Sequence, residues 1–237
     1  MIRRRVSAAL MALDAFTGQA LGKRVMCVLD GVPLTRPVYK SDGWLILTDL
    51  SPGTHSLSLR CPGFEEKTLS LSGETALEET VLLSPGQGYA FPRGTVFLPL
   101  TLTGTAGTSA RMFAGMSGAR PLKLMKEADA GSVSVKLFVN GTPPRPGWFL
   151  VGRKTPEAVF LRRVSADGDA DAAEPLTQTR SRGDTLIPVQ SLRVTAGTSV
   201  KIPFRGTGTA YLFCRGTLRT IELRTDAEAR LEWTLEE

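Results

Sequence analysis

The chain contains one histidine, His55, and acid–base catalysis near neutral pH most often depends on this residue type. One histidine cannot build a multi-histidine metal site, and a Ser–His–Asp relay needs a serine and a carboxylate oriented around the ring. Polar and apolar residues alternate from His55 onward, so we expect it to replace an aromatic side chain against a β-sheet. The sequence therefore predicts no catalytic residues and no enzymatic activity.

Three aspartates at alternate positions resemble the first ligands of a calcium loop, in which carboxylates converge on a hard cation. In such a loop the sixth position is glycine and the twelfth is a bidentate glutamate, but this chain has Ala172 and Gln178 there. Both differences matter, because the turn and the final ligand set the affinity for the ion. We expect a solvated acidic loop without a metal, and the alternative is a low-affinity cation site formed by Asp167, Asp169 and Asp171.

Other short motifs predict no cofactor site. The glycine-rich stretch 104–118 lacks the Lys-Ser/Thr of a phosphate-binding loop. Arg182-Gly183-Asp184 matches a cell-adhesion tripeptide, which a loop of this composition produces by chance. Asn140-Gly141-Thr142 has the form of a glycosylation sequon, and we interpret its Asn-Gly pair as the tip of a β-hairpin. Cys27 and Cys61 would pair if their strands were neighbours, but the odd count of cysteines favours buried free thiols at these two and at Cys214.

The N-terminal segment imitates the basic start and apolar run of a secretion signal. Its apolar run, Val6–Leu13, is only eight residues long and ends at Asp14, and no clean cleavage site follows. We therefore predict that Val6–Leu13 is the first strand of the mature domain and that the protein is made in the cytoplasm without Sec export. The arginines before this strand are candidates for binding the carboxylates of a partner chain, and the alternative is that they are solvated: Arg3, Arg4 and Arg5.

The composition of the 237 residues is that of an ordinary globular protein. Hydrophobic residues make up 42% and charged residues 22%, which excludes a disordered chain, and the 24 glycines and 15 prolines are spread along the sequence. No apolar run approaches the ~20 residues of a membrane-spanning helix. The net charge of +6 is diffuse, with acidic residues near every basic cluster, so we predict no nucleic-acid partner and no membrane span.

Short strand-like runs separated by turn dipeptides predict an all-β fold. In two neighbouring runs, leucines alternate with polar residues, which gives each strand one buried face. Turn signals such as Asp30-Gly31, Asp42-Gly43 and Pro52-Gly53 fall between the runs. We expect residues 5–84 to form an antiparallel sandwich whose core contains Leu57, Leu59, Leu69 and Leu71.

Two longer motifs and one turn in this first part carry a family resemblance. Asp14-Ala-Phe-Thr17-Gly18-Gln-Ala20-Leu21 is similar to the pattern D-x-x-T-G-x-P-L. Lys40–Leu59 is similar to the pattern T-D-x-x-G-x-F…L-x-P-G-x-Y-x-L and is followed by the turn Pro62-Gly63-Phe64. These motifs resemble the carboxypeptidase-regulatory-like domains, although Ala20 replaces the family's proline and His55 its tyrosine. The resemblance implies a seven-stranded, transthyretin-like sandwich with an accessory role, since such domains are modules of many proteins.

The second part follows an expected short linker at Ser84–Gly88 and again consists of strand-like runs. The predicted fold class is all-β, with two antiparallel β-sandwich domains of Ig-like or transthyretin-like type in tandem, 1–84 and 89–237. Within the second part, Leu98-Pro99 and a later Phe113 resemble Ile202-Pro203 and a later Phe213. Either a duplication or the periodicity that all strands share would account for this similarity.

We predict a non-enzymatic structural protein, a subunit of a large assembly such as a phage tail, a baseplate or a contractile injection particle, and we expect it to reside in that virion or particle. Its partners would be other protein subunits, including copies of itself. Strands at both ends of the chain favour this prediction, because we expect them to lie at sheet edges, where other chains pair. The alternative is a carbohydrate- or cell-surface-binding adhesin module with an exposed aromatic platform. Against it, we expect core packing of Trp44, Trp148 and Trp233.

Overall fold

The computed structural model describes residues 5–35, 37–116, 121–152, 154–224 and 231–235, and within these ranges the chain is almost entirely β. Their one helical element is a 3-10 turn, Gly22–Arg24, and no helix in them is long and apolar enough to cross a membrane. The chain divides into two compact units, Met1–Ala90 and Phe91–Glu237. The prediction of an all-β protein is confirmed.

The first unit contains eight described strands, which are β1 (Val6–Asp14), β2 (Met26–Leu29), β3 (Val32–Pro33), β4 (Val38–Tyr39), β5 (Trp44–Thr48), β6 (Thr54–Arg60), β7 (Lys67–Ser72) and β8 (Leu77–Leu83). They form two four-stranded sheets. One sheet has the order β4-β5-β1-β8 and the other has the order β3-β2-β6-β7. All pairs are antiparallel except β1 with β8, which is parallel.

Both sheets of the first unit contribute to one hydrophobic core. The alternation in β6 and β7 buries Leu57, Leu59 and Leu71 almost completely, and Leu69 is half-buried against the same core. The prediction for these four leucines is confirmed. The strand β1 adds Leu10 from the facing sheet, so side chains from both sheets exclude water from the same space.

The N-terminal strand lies inside its sheet, which corrects the expectation that the strands at both chain ends are edge strands. β1 pairs with β5 on one side and with β8 on the other. Its sequence, VSAALMALD, explains this position, because every residue after Val6 is buried or half-buried and both faces are mostly apolar. Strands covered on both faces have this pattern and occupy central positions in sheets.

The segment that follows β8, expected to be a linker, is bonded to the first unit. The Ser84 carbonyl accepts a hydrogen bond from the N–H of Glu65, and the Gly86 N–H donates to the Gly63 carbonyl. Tyr89 then packs its ring edge-on against Phe64, with ring centroids 5.1 Å apart. The chain therefore remains attached to the first unit over the residues where we expected a free connection.

The second unit contains twelve described strands, which are β9 (Thr95–Gly104), β10 (Ser109–Met116), β11 (Leu122–Leu124), β12 (Ser134–Phe138), β13 (Gly147–Val151), β14 (Glu157–Val164), β15 (Asp169–Ala172), β16 (Thr185–Thr195), β17 (Ser199–Arg205), β18 (Gly208–Cys214), β19 (Thr217–Leu223) and β20 (Leu231–Leu235). Nine of them form one sheet with the order β11-β12-β15-β14-β13-β16-β10-β18-β19. The other three form a sheet with the order β17-β9-β20.

Six strands of the larger sheet close into a ring. In the order β11-β12-β15-β14-β13-β16, each strand is antiparallel to the next, and β16 pairs back with β11. Small β-barrels are filled by their own side chains. The inside of this ring is filled in the same way by apolar residues, among them Leu124, Leu137, Phe149, Leu161 and Leu186.

The remaining strands of the second unit share a different core. β16 continues past the ring, where its later residues pair with β10, and β18 and β19 follow. The sheet β17-β9-β20 packs against these strands, and the shared core includes Leu100, Met112, Ile202, Leu212 and Trp233. The ring is therefore inserted between β10 and the later half of β16. The expectation of one sandwich over 89–237 did not include this insertion.

The two segments of similar sequence in the second unit pair with each other. β9 is antiparallel to β17, and β10 is antiparallel to β18. Leu98 lies opposite Ile202 and Phe113 lies opposite Phe213, so both strand pairs are centred on residues that the sequence similarity equates. The four strands have an approximate local two-fold relation within one core, and the similarity does not relate the two units.

The prediction of a hairpin tip at Asn140-Gly141 is wrong. β12 and β13, the strands on either side, pair with other strands of the ring and not with each other. Pro143, Pro144 and Pro146 follow the Asn-Gly pair. Proline cannot donate the backbone hydrogen bonds that a hairpin strand needs, so the chain crosses to another part of the ring instead.

A cross-strand leucine pair tests the core of the first unit. Leu57→Ala is expected to lower the free energy of unfolding by about 2–5 kcal/mol, because a fully buried leucine leaves a cavity. Its cross-strand neighbour Leu69 is only half-buried, so Leu69→Ala is expected to cost less. Urea denaturation of both variants measures the difference, and equal losses would contradict this burial pattern.

Candidate functional site

The structure brings a carboxylate and a serine to His55. His55 lies in β6, and Asp30 lies in the turn between β2 and β3. The Nδ1 atom of His55 is 2.6 Å from Asp30 Oδ2, and Nε2 is 2.9 Å from the carbonyl oxygen of Ser51 and 3.3 Å from its hydroxyl. The Asp-Gly signal predicted the turn, but no sequence pattern placed it beside β6. The cluster was therefore not predictable from the sequence.

The atoms of this cluster resemble a Ser–His–Asp relay, but the protons are arranged differently. In a relay, Nε2 must direct a lone pair toward the serine hydroxyl. Here the Ser51 carbonyl oxygen is closer to Nε2 than the Ser51 hydroxyl is. Because a carbonyl oxygen can only accept, a hydrogen bond at 2.9 Å requires a proton on Nε2. Both ring nitrogens then donate hydrogen bonds. This geometry favours the protonated ring, with Asp30 and Ser51 as its two acceptors, over a ring with a free lone pair directed at the serine hydroxyl.

The two charges of this cluster stabilise each other. The hydrogen bond to Asp30, and then the Ser51 carbonyl, raise the pKa of His55 above its usual value. The hydrogen bond from His55, and then the one from the backbone N–H of Ser56, lower the pKa of Asp30. The His55 side chain is 12% exposed and that of Asp30 is 48% exposed. The pair is therefore a clamp at the surface that ties the β2–β3 turn to β6.

The first family-like motif also has a structural use. Asp14 is buried at the end of β1, and its Oδ1 accepts hydrogen bonds from the backbone N–H groups of Phe16 and Thr17. Its Oδ2 accepts from the hydroxyls of Thr17, at 2.5 Å, and Tyr89, at 2.6 Å. One carboxylate thus fixes the turn after β1 and holds the segment that follows β8.

The structure does not bring the three candidate cation ligands to one point. Asp167 precedes β15, whereas Asp169 and Asp171 lie two residues apart within it. Asp169 forms an ion pair with Lys136 of the neighbouring strand, with Nζ 2.8 Å from Oδ1, and Asp171 lies opposite Ser134. Within the described ranges, no group of three His, Cys, Asp or Glu side chains is placed to hold a metal ion.

A buried ion pair joins the start of β14 to the segment between β15 and β16. The Nε of Arg180 donates to Glu157 Oε1 at 2.7 Å, and Nη2 lies 2.7 Å from the same oxygen without a hydrogen-bonding angle. Thr177 donates to Oε2 through its backbone N–H and its hydroxyl. Burial raises the pKa of Glu157, but the Thr177 and Arg180 contacts outweigh it and keep that pKa below its usual value. No sequence spacing signals this network.

The candidate partner-binding arginines fall at the start of the described chain. Arg3 and Arg4 lie outside the described residues. Arg5 is bonded within the chain, because its backbone N–H donates to Asp49 Oδ1 at 2.8 Å and its Nη2 donates to the Gly73 carbonyl. Arg5 therefore holds two turns against the start of β1, and the binding of a partner chain by the three arginines stays a prediction.

The tryptophans differ in burial. Trp233 is buried, as expected, whereas Trp44 and Trp148 are half-buried. Trp148 packs against Phe113 and Phe160, with ring centroids 4.9 and 5.3 Å apart. Because these rings lie tilted or edge-on to one another, they do not form the flat row that stacks on sugar rings.

The adhesion-like tripeptide and the cysteines also serve local structure. The carboxylate of Asp184 accepts a hydrogen bond from the Ser181 N–H, and the Gly183 N–H donates to the Leu124 carbonyl, so the tripeptide lies in a bonded turn. The three cysteines are free and buried, as expected, and burial raises the pKa of each thiol. A raised pKa lowers the thiolate fraction, which makes these cysteines poor nucleophiles.

The open sheet edges are the features best suited to a function. Among the described strands, β3, β4, β7, β8, β17, β19 and β20 each end a sheet. β3 and β4 have only two residues, and β17 contains Pro203, and both short length and proline weaken an edge as a pairing surface. β8 and β19 are the longest edges without proline, with seven residues each. These two strands form the candidate interaction site, one in each unit.

The ion pair of the single histidine predicts a pH dependence. A histidine with a raised folded pKa stabilises the fold fully below its unfolded pKa of about 6.5. That stabilisation is lost as the pH rises through the higher folded pKa. NMR titration of the His55 ring is expected to give a pKa above that of a model peptide, and Asp30→Asn is expected to lower it. An unchanged pKa in Asp30→Asn would contradict the clamp.

The buried and the exposed ion pairs of the ring predict unequal costs. Arg180→Met leaves the buried Glu157 carboxylate without its countercharge, and we expect a loss of about 3–5 kcal/mol in the free energy of unfolding. Lys136→Met is the matched control, because its partner Asp169 is exposed, and we expect a loss below about 1 kcal/mol. Chemical denaturation measures both, and similar losses would refute the assignment of a buried network.

Comparisons with known proteins give no family. No protein-family model matches the chain, and no curated protein matches it in sequence. Among solved structures, the chain has a TM-score of 0.28 and 9% identity to the Bacillus anthracis TIE protein, over 98% of this chain and 34% of that one. A streptococcal ancillary pilin has a TM-score of 0.26 and 14% identity, over 98% of this chain and 61% of that one. BcpA, the major pilin subunit of Bacillus cereus, has a TM-score of 0.26 and 9% identity, over 98% of both chains. The chain thus spans about a third of the first structure and three-fifths of the second, and TM-scores this low carry no argument about fold or function.

Proposed function

We propose that this protein is a non-enzymatic structural subunit that joins a protein assembly through its sheet edges. The observation that carries the proposal is the pair of long edges without proline, β8 in the first unit and β19 in the second. An edge strand presents a row of unpaired backbone N–H and C=O groups, which is a template for pairing with another chain. Strand addition of this kind is a common mode of recognition between proteins.

The polar clusters of both units support the same role. Asp14 holds a turn of the first unit, and the Asp30–His55 pair clamps another. In the second unit, Glu157 binds Arg180 and Thr177, which lie in the segment between β15 and β16. These charged groups fix the chain against itself, and a rigid scaffold is what an assembly subunit needs in order to keep its contact surfaces in one geometry.

The proposal includes two β-sandwich modules in tandem, residues 1–84 and 89–237, with the six-stranded ring as an insertion in the second. The first module would be of the carboxypeptidase-regulatory-like type. Two observations support that assignment. Two four-stranded sheets share one core, and Asp14 and Thr17 of the motif that carries the resemblance are bonded to each other.

We propose the class of subunit and no particular assembly. The more specific expectation of a phage tail, a baseplate or an injection particle receives no support from the comparisons. Two of the compared structures are pilin subunits, and their similarity to this chain is too low to transfer that role.

Isolation of the native complex tests the proposal. The affinity-tagged chain is purified at low salt from the cells that produce it, and the mass of the eluted particle is measured by light scattering. We expect a mass several times the 25.5 kDa of the chain, with defined protein components or several copies of the chain itself. A monomer in every preparation would contradict the proposal. Specific retention on a glycan array by such a monomer would favour the adhesin alternative instead.

A further inference from the structure

The charges beside the two long edges are opposite in sign. Residues 1–90 contain nine Lys or Arg and nine Asp or Glu, so the net charge of +6 resides in residues 91–237. In the stretch 74–83, which contains β8, three glutamates stand against no basic residue. In the stretch 215–224 around β19, three arginines stand against one glutamate. We propose that β8 of one copy pairs antiparallel with β19 of a second copy, which joins the chains head to tail.

Alternate residues of β8 direct their backbone groups away from the sheet. The carbonyl of Leu83 accepts a hydrogen bond from Ala15, just after the neighbouring strand β1, so Leu83 faces β1. In a strand, successive residues point their N–H and C=O groups to opposite sides. Val81, Glu79 and Leu77 therefore also face β1. Thr80 and Glu78 face outward, where no described strand pairs with them.

The outward residues of β19 follow from its hairpin with β18. Cys214 and Thr217 pair across a two-residue turn, Arg215-Gly216, in which both residues have positive φ, 47° and 78°. The pair that closes such a turn exchanges both backbone hydrogen bonds. Thr217 therefore faces β18, and so do Arg219 and Ile221. Leu218, Thr220 and Glu222 direct their backbone groups outward.

One register satisfies the backbone and the charges together. When Thr80 and Glu78 pair with Leu218 and Thr220 of the other copy, outward backbone groups meet on both strands. The same register sets Glu79 opposite Arg219. It also sets Leu77 opposite Ile221, and both of these side chains lie on the core side of their sheets. No two like charges lie opposite each other in this register.

The contact is heterologous, because it uses a different strand on each copy, so repeated contacts build an open filament or a closed ring of chains. Pairing of β8 with a second β8 would instead bring glutamates together. A single contact of about five residues on each strand is smaller than a standard interface of about 800 Å² per partner, so we expect weak association that strengthens in an assembly. This inference rests on the proposed function and names its partner, a second copy of the chain.

Charge reversal tests the pairing with the full chain. Sedimentation of the wild-type protein at concentrations up to several hundred micromolar is expected to show reversible association that weakens as NaCl rises. Glu79→Arg and Arg219→Glu are each expected to weaken it by about tenfold or more. An equimolar mixture of these two variants is expected to associate again, because each now supplies the edge that the other lacks. No association of the wild type, or association indifferent to both changes, would overturn the proposal.

A backbone variant separates strand pairing from general charge attraction. The N–H of Thr220 faces outward, so Thr220→Pro removes a donor from the proposed contact and none from the β18–β19 ladder. Thr220→Val keeps that N–H and is the matched control. We expect loss of association in Thr220→Pro alone, with the circular dichroism of both variants unchanged. Equal association of the two variants would show that the strands do not pair.

The two proposals fail in different ways. If the tagged chain is recovered in a large particle and the charge-reversed variants enter that particle as well as the wild type does, the β8–β19 contact is wrong and the proposed function stands. If the purified chain associates through these edges but is monomeric in every native preparation, the contact stands and the proposed function is wrong.

Discussion

The architecture of the second unit depends on one eleven-residue strand, β16, that belongs to two cores. Its early residue Leu186 is buried inside the ring, and its later residue Val194 is buried in the core that β9 and β17 share. Where the pairing of β16 passes from β13 to β10, Gly115 lies opposite Val189. A Cβ at Gly115 would lie 2.8 Å from the Pro188 carbonyl oxygen, so a larger residue would separate the strands at the point where both cores meet.

The polar groups show why residue identity alone does not define a catalytic site. Asp30, His55 and Ser51 have the side chains of a hydrolytic relay and approach its distances. The backbone carbonyl of Ser51 is nonetheless the nearer acceptor for Nε2, and a ring that donates to it has no lone pair there to accept the proton of a serine hydroxyl. The charge that would drive catalysis instead holds a turn against a strand.

Local chemistry made part of the fold predictable, and long-range pairing made the rest unpredictable. Alternation placed Leu57, Leu59 and Leu71 in the core, because side-chain direction in a strand has a period of two. Order along the chain does not predict position in the sheet, because β1 is the first strand and yet its two apolar faces place it between β5 and β8. The closure of the ring by β11 and β16, and the meeting of Glu157 with Arg180, join residues far apart in sequence. No local pattern records such contacts, so the insertion and the buried network could not be foreseen.

The edge strands differ in the features that block pairing with another chain, and this difference favours a role in binding for two of them. β3 ends at a proline and has only two residues, and the carbonyl of Pro203 in β17 accepts a hydrogen bond from the Gln190 side chain. β8 and β19 lack these features. β8 carries two glutamates and no basic residue, whereas β19 carries one arginine and one glutamate and is flanked by two further arginines. Charge of one sign disfavours pairing with an identical edge, but it leaves the edge open to a strand of opposite charge. An edge guarded in this way is protected from copies of itself and remains available to a specific partner.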